Sequence, residues 1–200
     1  MLQVAIFASG TGTNAKRIIE SSRSEIKPYH ISLLVCNNPV AGIMSVAIDH
    51  KIPVLIVNRE TFFDTESILP QLREFGIDYI ILAGYIWKLP STLIDAYRGR
   101  IVNIHPALLP KFGGKGMFGI HVHLAVKMAA ESKTGITIHY VDEHYDAGDI
   151  IFQSSIAIES SDTPEDIQRR VQKLEHEHYP EIVDRLLREY ALEHPKAPQN

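Results

Sequence analysis

The stretch Val4-Ala5-Ile6-Phe7-Ala8-Ser9-Gly10-Thr11-Gly12-Thr13-Asn14 decides the fold. Five apolar residues without alternation read as a strand covered on both faces, as parallel strands are. A glycine turn then opens a helical stretch, Asn14–Ser22. Strand, tight turn and helix make the first half of a βαβ unit, and the same alternation continues outward from it. Further strands are predicted at Ile31–Cys36, Val54–Val57, Tyr79–Ala83 and Arg100–His105, with helices at Gly42–His50, Thr65–Phe75 and Ser91–Tyr97. Short links and right-handed crossovers then give a doubly wound, mostly parallel α/β sheet.

The pattern changes in the second half. A helix over about His121–Ser132 follows the glycine-rich Lys111–Gly119. Thr134–Val141 alternates, with Ile136, Ile138 and Tyr140 on one face and Thr137, His139 and Val141 on the other. With Ile150–Ile158 it predicts an antiparallel C-terminal extension. Thr163-Pro164-Glu165-Asp166 has the hydroxyl, proline and acid of a helix start, and Pro180 is expected to kink or restart that helix before Ile182–Tyr190. A single domain over residues 1–200 is expected, with His194–Asn200 as a disordered tail.

Bulk properties narrow the function. Net charge is −4, and the densest basic cluster is the pair Arg169-Arg170, so no nucleic-acid footprint is expected. No apolar run reaches the roughly 20 residues of a membrane helix, and no signal-peptide pattern opens the chain. One cysteine, Cys36, excludes an internal disulfide and suits a reducing compartment. A cytoplasmic protein acting on small molecules is the expectation, as monomer or homodimer.

Three places carry chemistry. The first is Ser9–Asn14, where a glycine turn and a helix start offer backbone amides to an anion. Gly10-x-Gly12-x-x-Ala15 meets a relaxed dinucleotide pattern, yet the second strand ends Cys36-Asn37-Asn38-Pro39 without the acid that NAD ribose requires. A single phosphate fits better, and a ligand-free tight turn is the plain alternative. The second is Asn103-Ile104-His105-Pro106, where two polar residues spaced by two share one face at a strand's carboxyl end. A carboxamide beside an imidazole can donate to an oxyanion, and the imidazole can carry a proton. The third is Asp142–Asp149, a polar loop with four acids whose spacing does not suit calcium. Patterning alone leaves open which acid acts. His121-Val122-His123 lacks a third ligand at useful spacing, so no metal is expected. Lys111–Gly119 reads as a mobile lid.

The run Asn103–Pro110, together with Ser9–Asn14, Leu82-Ala83-Gly84-Tyr85, Gly135–Val141, Asp146 and Glu175-His176, resembles the phosphoribosylglycinamide formyltransferases over roughly Val4 to Leu187. The resemblance implies a Rossmann-like formyltransferase fold, with the phosphate site in the N-terminal half and the folate site between the halves. It implies that the formyl group of 10-formyltetrahydrofolate passes to the glycyl amine of glycinamide ribonucleotide without a metal, in purine synthesis. Asn103 and His105 would then stabilise the oxyanion while Asp146 orients His105 or a water. Gly12, Thr13 and Asn14 would hold the phosphate, Gln172 and Glu175 the ribose–glycinamide part, and Pro106 would shape the loop between the ligands. The pterin would lie against Leu82, Tyr85, Trp87, Lys88, Leu89, Ile94 and Ile101. The loop Val141, Asp142, Glu143, His144, Tyr145 and Asp146 would complete that pocket.

Asn-x-His-Pro followed by Leu-Leu-Pro is shared with methionyl-tRNA and sugar-nucleotide formyltransferases and with formyltetrahydrofolate hydrolases. Ser9–Asn14 is what selects the glycinamide branch. This sequence departs from the pattern in its longer glycine-rich loop, in Ala147 where glycine is common, and in Trp87. The rivals are a sugar-nucleotide formyltransferase or a hydrolase on the same core, and a non-catalytic nucleotide-binding module using Gly10–Ala15 alone.

Overall fold

A computed structural model describes residues 1–63 and 65–195. A seven-stranded sheet runs in the order β3-β2-β1-β4-β5-β6-β7. Two compact units divide the chain, one of Met1–Ile101 with the segment from Pro180 onward, the other Val102–Tyr179.

In the first unit, β1 (Leu2–Ala8) is paired in parallel with β2 (Tyr29–Cys36) on one side and β4 (Tyr79–Leu82) on the other. β3 (Val54–Ile56) extends the sheet beyond β2. The chain thus leaves β1 for β2 and β3, then returns to β1's other edge, making a topological switch point at the carboxyl ends of β1 and β4. The unbroken apolar run is the physical cause: Val4–Ala8 are wholly buried, because helices cover both faces. Those helices are α1 (Thr13–Arg23), α2 (Ile43–His50), α3 (Arg59–Phe63), α4 (Thr65–Glu74) and α5 (Ser91–Ala96). The short α3 has no counterpart in the sequence reading. Five residues are too few to show a helical period, and its two phenylalanines read equally well as a loop closing on the core.

In the second unit, β5 (Ile101–His105) pairs antiparallel with β6 (Lys133–Tyr140), which pairs antiparallel with β7 (Ile150–Ala157). The expected antiparallel extension is present. The alternation in β6 does not mark a wet face, because Thr134 through His139 are all buried. Thr137 shows how such a strand accommodates polar groups: its Oγ1 donates to the Ala107 carbonyl at 2.7 Å and accepts the Leu109 N–H at 3.0 Å. Gln153 of β7 adds a donor to Leu109 O at 3.0 Å, so the loop after β5 is held by two strands. The Leu109–Pro110 bond is cis. Between β5 and β6 lies α6 (Ile120–Met128).

The last helix, α7, runs Pro164–Glu193 with Pro180 inside it. Its start is the expected capping box: Asp166 N–H donates to Thr163 Oγ1 at 3.1 Å, and Thr163 N–H to Asp166 Oδ2 at 3.0 Å. The expected restart at Pro180 does not occur. Proline forfeits one ladder bond there, while the buried Tyr179, Val183 and Leu187 keep the helix seated on both sides of it. Of the tail, His194 N–H still donates to Tyr190 O, and residues 196–200 lie outside the described residues. Among the described residues no helix is long and apolar enough to cross a membrane.

Candidate active site

The carboxyl end of β5 carries Asn103 and His105, two residues apart and on one face of the strand. The antiparallel register sets His139 of β6 opposite Asn103, and Thr137 opposite His105. His139 Nδ1 lies 2.8 Å from the Tyr140 carbonyl. A carbonyl only accepts, so Nδ1 carries a proton, and Nε2 is the nitrogen that faces Asn103. Asn103 Nδ2, 3.1 Å away, donates to it. His139 is thus a site residue that the sequence reading passed over. Its signal was there: a histidine on the alternating face of the strand that pairs with Asn103.

Asp146 completes the cluster. Its Oδ2 lies 3.6 Å from His105 Nδ1, and its Oδ1 lies 3.6 Å from His139 Nε2. The sequence left four acids as candidates, and Asp146 is the one that reaches both imidazoles. Asp142 instead accepts the N–H of His144 within the loop, and the side chains of Glu143, His144 and Tyr145 are exposed. Asp146 sits at φ 53°, a left-handed conformation that few residues other than glycine, asparagine and aspartate adopt. The His105 and His139 rings and a Gly114 amide outweigh its burial and hold its carboxyl below the usual range, so it is a carboxylate at neutral pH.

The glycine-rich loop is a wall of this cluster. Phe112 O lies 2.8 Å from His105 Nε2, so that nitrogen carries a proton and donates. Gly114 N–H donates to Asp146 Oδ2 at 2.8 Å. Gly113 is required by proximity, since a Cβ there would lie 2.6 Å from a Leu109 methyl and 3.1 Å from Asp146 Cβ. The loop read as a lid therefore holds His105 and Asp146 through its own backbone.

His105 is 3% exposed. Burial, the largest effect, together with the nearby His139, pulls its pKa below the ordinary histidine value; Asp146 and the Phe112 carbonyl push the other way. The Asp146 carboxylate favours the imidazolium, but burial outweighs it. The resting ring is neutral, with its proton on Nε2 and its basic Nδ1 facing Asp146. Adding a proton at Nδ1 creates an ion pair in place.

In the first unit, Ser9–Asn14 forms the turn between β1 and α1. Gly12 has φ 75° and caps α1; the first ladder bond is Lys16 N–H to Gly12 O, so the amides of residues 13–15 lie ahead of it. α2 packs on the turn, with Ile43 N–H donating to Gly10 O at 3.2 Å. Ser9 ties the turn to the segment after β4: its N–H donates to Gly84 O at 3.1 Å, and its Oγ accepts Ile86 N–H at 3.1 Å. That segment presents Tyr85 and Trp87, half-buried in a ring cluster with Phe7 and Phe62, and Arg59 lies 5.8 Å over the Trp87 ring. Among the described residues the buried Tyr85 hydroxyl has no hydrogen-bond partner. Leu82, Leu89, Ile94 and Ile101 lie in the core and Lys88 is exposed. In the second unit, Gln172 and Glu175 lie half-buried three residues apart on α7, and Pro106 follows His105 directly. Among the described residues no group of three or more His, Cys, Asp or Glu is arranged to hold a metal ion.

A mixed sheet with a strand-end Asn/His pair beside a half-buried carboxylate is the arrangement of a group-transfer enzyme acting at a carbonyl. The chain belongs to the formyl transferase family, whose model matches residues 2–183. It is 39% identical to the phosphoribosylglycinamide formyltransferase of Bacillus subtilis over 191 residues, covering 94% of this chain and 95% of that one. It is also 39% identical to the chloroplastic phosphoribosylglycinamide formyltransferase of Arabidopsis thaliana, spanning 94% of this chain but 66% of the relative's length. Among solved structures it resembles the phosphoribosylglycinamide formyltransferase of Bacillus halodurans, with TM-score 0.84, 42% identity, and coverage of 92% and 95% of the two chains.

Proposed function

We propose that this chain moves the formyl group of 10-formyltetrahydrofolate to the glycyl amine of glycinamide ribonucleotide, giving formylglycinamide ribonucleotide and tetrahydrofolate in de novo purine synthesis. The observation that carries the reading is the joined set Asn103, His139, Asp146 and His105 in a chain of the formyl transferase family.

When the amine nitrogen bonds to the formyl carbon, the carbonyl oxygen gains negative charge and the nitrogen positive charge. Asn103 Nδ2 keeps one hydrogen on His139 and offers the other to the oxygen. His105 takes the proton that the attacking amine gives up at Nδ1, where Asp146 compensates the charge, and the imidazolium stabilises the charged oxygen electrostatically. Collapse re-forms the carbonyl and breaks the bond to the folate nitrogen, which receives that proton from His105. Burial of His105 and His139 keeps water away, so each of these charges acts at short range.

The ligand assignments are supported residue by residue. Gly12, Thr13 and Asn14 stand at a helix start that suits a phosphate. Gln172 and Glu175 offer hydrogen-bonding groups for the ribose–glycinamide part. Folate fits the Tyr85 and Trp87 surface, which offers flat aromatic area. The loop 141–145 and Leu82, Lys88, Leu89, Ile94 and Ile101 complete the proposed folate set. The chemistry asks for no metal, nucleic acid or membrane. We place the protein in the cytoplasm.

Formyl transfer measured with purified protein, the ribonucleotide and 10-formyltetrahydrofolate tests the reading. Rapid folate release that requires the ribonucleotide supports it. Release at the same rate without the ribonucleotide would identify a hydrolase, and transfer to an amino-sugar nucleotide instead would identify that branch.

A further inference from the structure

Gly148 stands where the loop carrying Asp146 returns to the sheet. Tyr140 N–H, at the end of β6, donates to Asp149 O at 2.9 Å, so the loop closes just ahead of β7. A Cβ on Gly148 would lie 2.0 Å from Tyr140 O and 2.9 Å from Tyr140 C, whereas carbon atoms in contact stand about 3.5–4.0 Å apart. Gly148 does not have a left-handed φ, so close approach alone requires the glycine.

The oxygen it packs against is the one that accepts from His139 Nδ1 at 2.8 Å. That bond turns the ring so that Nε2 lies 3.1 Å from Asn103 Nδ2 and 3.6 Å from Asp146 Oδ1. One carbonyl therefore joins both halves of the cluster: it orients the His139 ring, and the loop of Asp146 rests on it. A methyl at 148 must displace either the carbonyl or the loop. The first shift releases His139 from its anchor, and the second withdraws Asp146 from both imidazoles.

We propose that Gly148 is a positioning residue for formyl transfer: its bare α-carbon seats the loop on the Tyr140 carbonyl and so holds His139 and Asp146 in place for Asn103 and His105. Gly148 touches no reacting group; it acts through those two side chains.

Gly135 supplies the comparison, because a glycine needed only to close the hairpin would behave like it. It lies in β6 opposite Ser155 of β7, and a Cβ there would lie 1.9 Å from Ser154 O. The crowding is as severe, but Gly135 lies toward the end of β6 away from the Asp146 loop. Gly148→Ala and Gly135→Ala should each lower the melting temperature. Gly148→Ala alone should also lower kcat, by at least about tenfold and toward the ~10² that a misplacement of about 1 Å can cost, with both KM values within about threefold. In nitrogen NMR the His139 ring signals, assigned by their loss in His139→Ala, should move in Gly148→Ala and stay in place in Gly135→Ala. The proposal is overturned if kcat of Gly148→Ala falls less than about tenfold below that of Gly135→Ala, or if its His139 signals match the parent's.

If Gly148→Ala does not fold, an ester in place of the amide between Tyr140 and Val141 weakens the same carbonyl as an acceptor without adding bulk. It should lower kcat several-fold and move the His139 signals; parental kcat or unmoved signals overturn the proposal. The kinetic arm rests on the formyl-transfer reading. If the unsubstituted protein transfers no formyl group, that reading fails, and the His139 signals still decide whether Gly148 holds the ring.

Discussion

Asn103 Nδ2 lies 3.1 Å from His139 Nε2, and that contact determines which way the Asn103 carboxamide points. Because His139 Nδ1 donates to the Tyr140 carbonyl, Nε2 is the nitrogen that faces Asn103, and the amide nitrogen turns toward it. Removing His139 should therefore disorient Asn103 without touching a ligand. His139→Ala is expected to lower turnover by up to the ~10²–10³ lost with one oxyanion donor. The double variant with Asn103→Ala should be little worse than Asn103→Ala alone. Additive losses in that cycle would mean that the two residues act separately.

Asp146 raises the His105 pKa against burial. Asp146→Asn removes that support, so the His105 pKa should fall further and the imidazolium should become harder to form. Turnover is expected to drop by roughly 10²-fold or more, with substrate affinities changed much less. The limb of the rate profile governed by His105 should move to lower pH. A profile that shifts to higher pH, or a variant with parental turnover, would assign the role elsewhere in the loop.

Two depressed histidines also predict a pH dependence of stability. His105 lies below its ordinary value of 6.5, and His123 falls to about 4. The unfolded chain then binds more protons, so their contribution is complete above about pH 6.5 and is lost as the pH falls toward the folded values. For His123 the loss amounts to about 3 kcal/mol at most. Thermal unfolding between pH 7 and pH 4 should show a steep fall that His123→Gln flattens. Parallel curves for the two proteins would contradict the assignment.

The turn at Ser9–Asn14 distinguishes two glycines. A Cβ on Gly12 would need φ 75° and would lie 2.7 Å from an Ile43 methyl, so Gly12→Ala should destabilise by about 1–2 kcal/mol from the backbone alone, with the contact adding more. A Cβ on Gly10 meets nothing within 4 Å. Gly10→Ala should therefore leave the melting temperature nearly unchanged and lower ribonucleotide affinity several-fold, because it crowds only the approaching phosphate. Calorimetry showing unchanged ribonucleotide binding in Gly10→Ala would remove the phosphate from this turn.

Much of this architecture was legible in the chain. Runs such as Ile31–Cys36 and Tyr79–Leu82 are too apolar for anything but covered strands, and they formed there. Asn103 and His105 were legible because a strand's period of two is a local property. What escaped depends on pairing between segments. His139 gains its role only when β6 lies beside β5 in one register. Asp146 stands out from Asp142 only once Phe112 and Gly114 have brought the glycine-rich loop against the histidines. Lys111–Gly119 read as a lid because glycines mark freedom in a sequence, yet Gly113 is there because Leu109 and Asp146 leave no room for a side chain. At Pro180 the expectation was a kink or a restart; the restart does not occur, since one missing ladder bond weighs little against the buried residues around it.

The left-handed backbone at Asp146 narrows what evolution or design can place there. Glutamate would keep the charge, but its longer side chain cannot make the local hydrogen bonds that ease aspartate and asparagine into that conformation. Glutamate therefore enters at a backbone cost of about 1–2 kcal/mol, whereas asparagine and glycine enter readily. Both abolish the charge. Chemistry and chain geometry impose separate filters at this position, and aspartate is the residue that passes both.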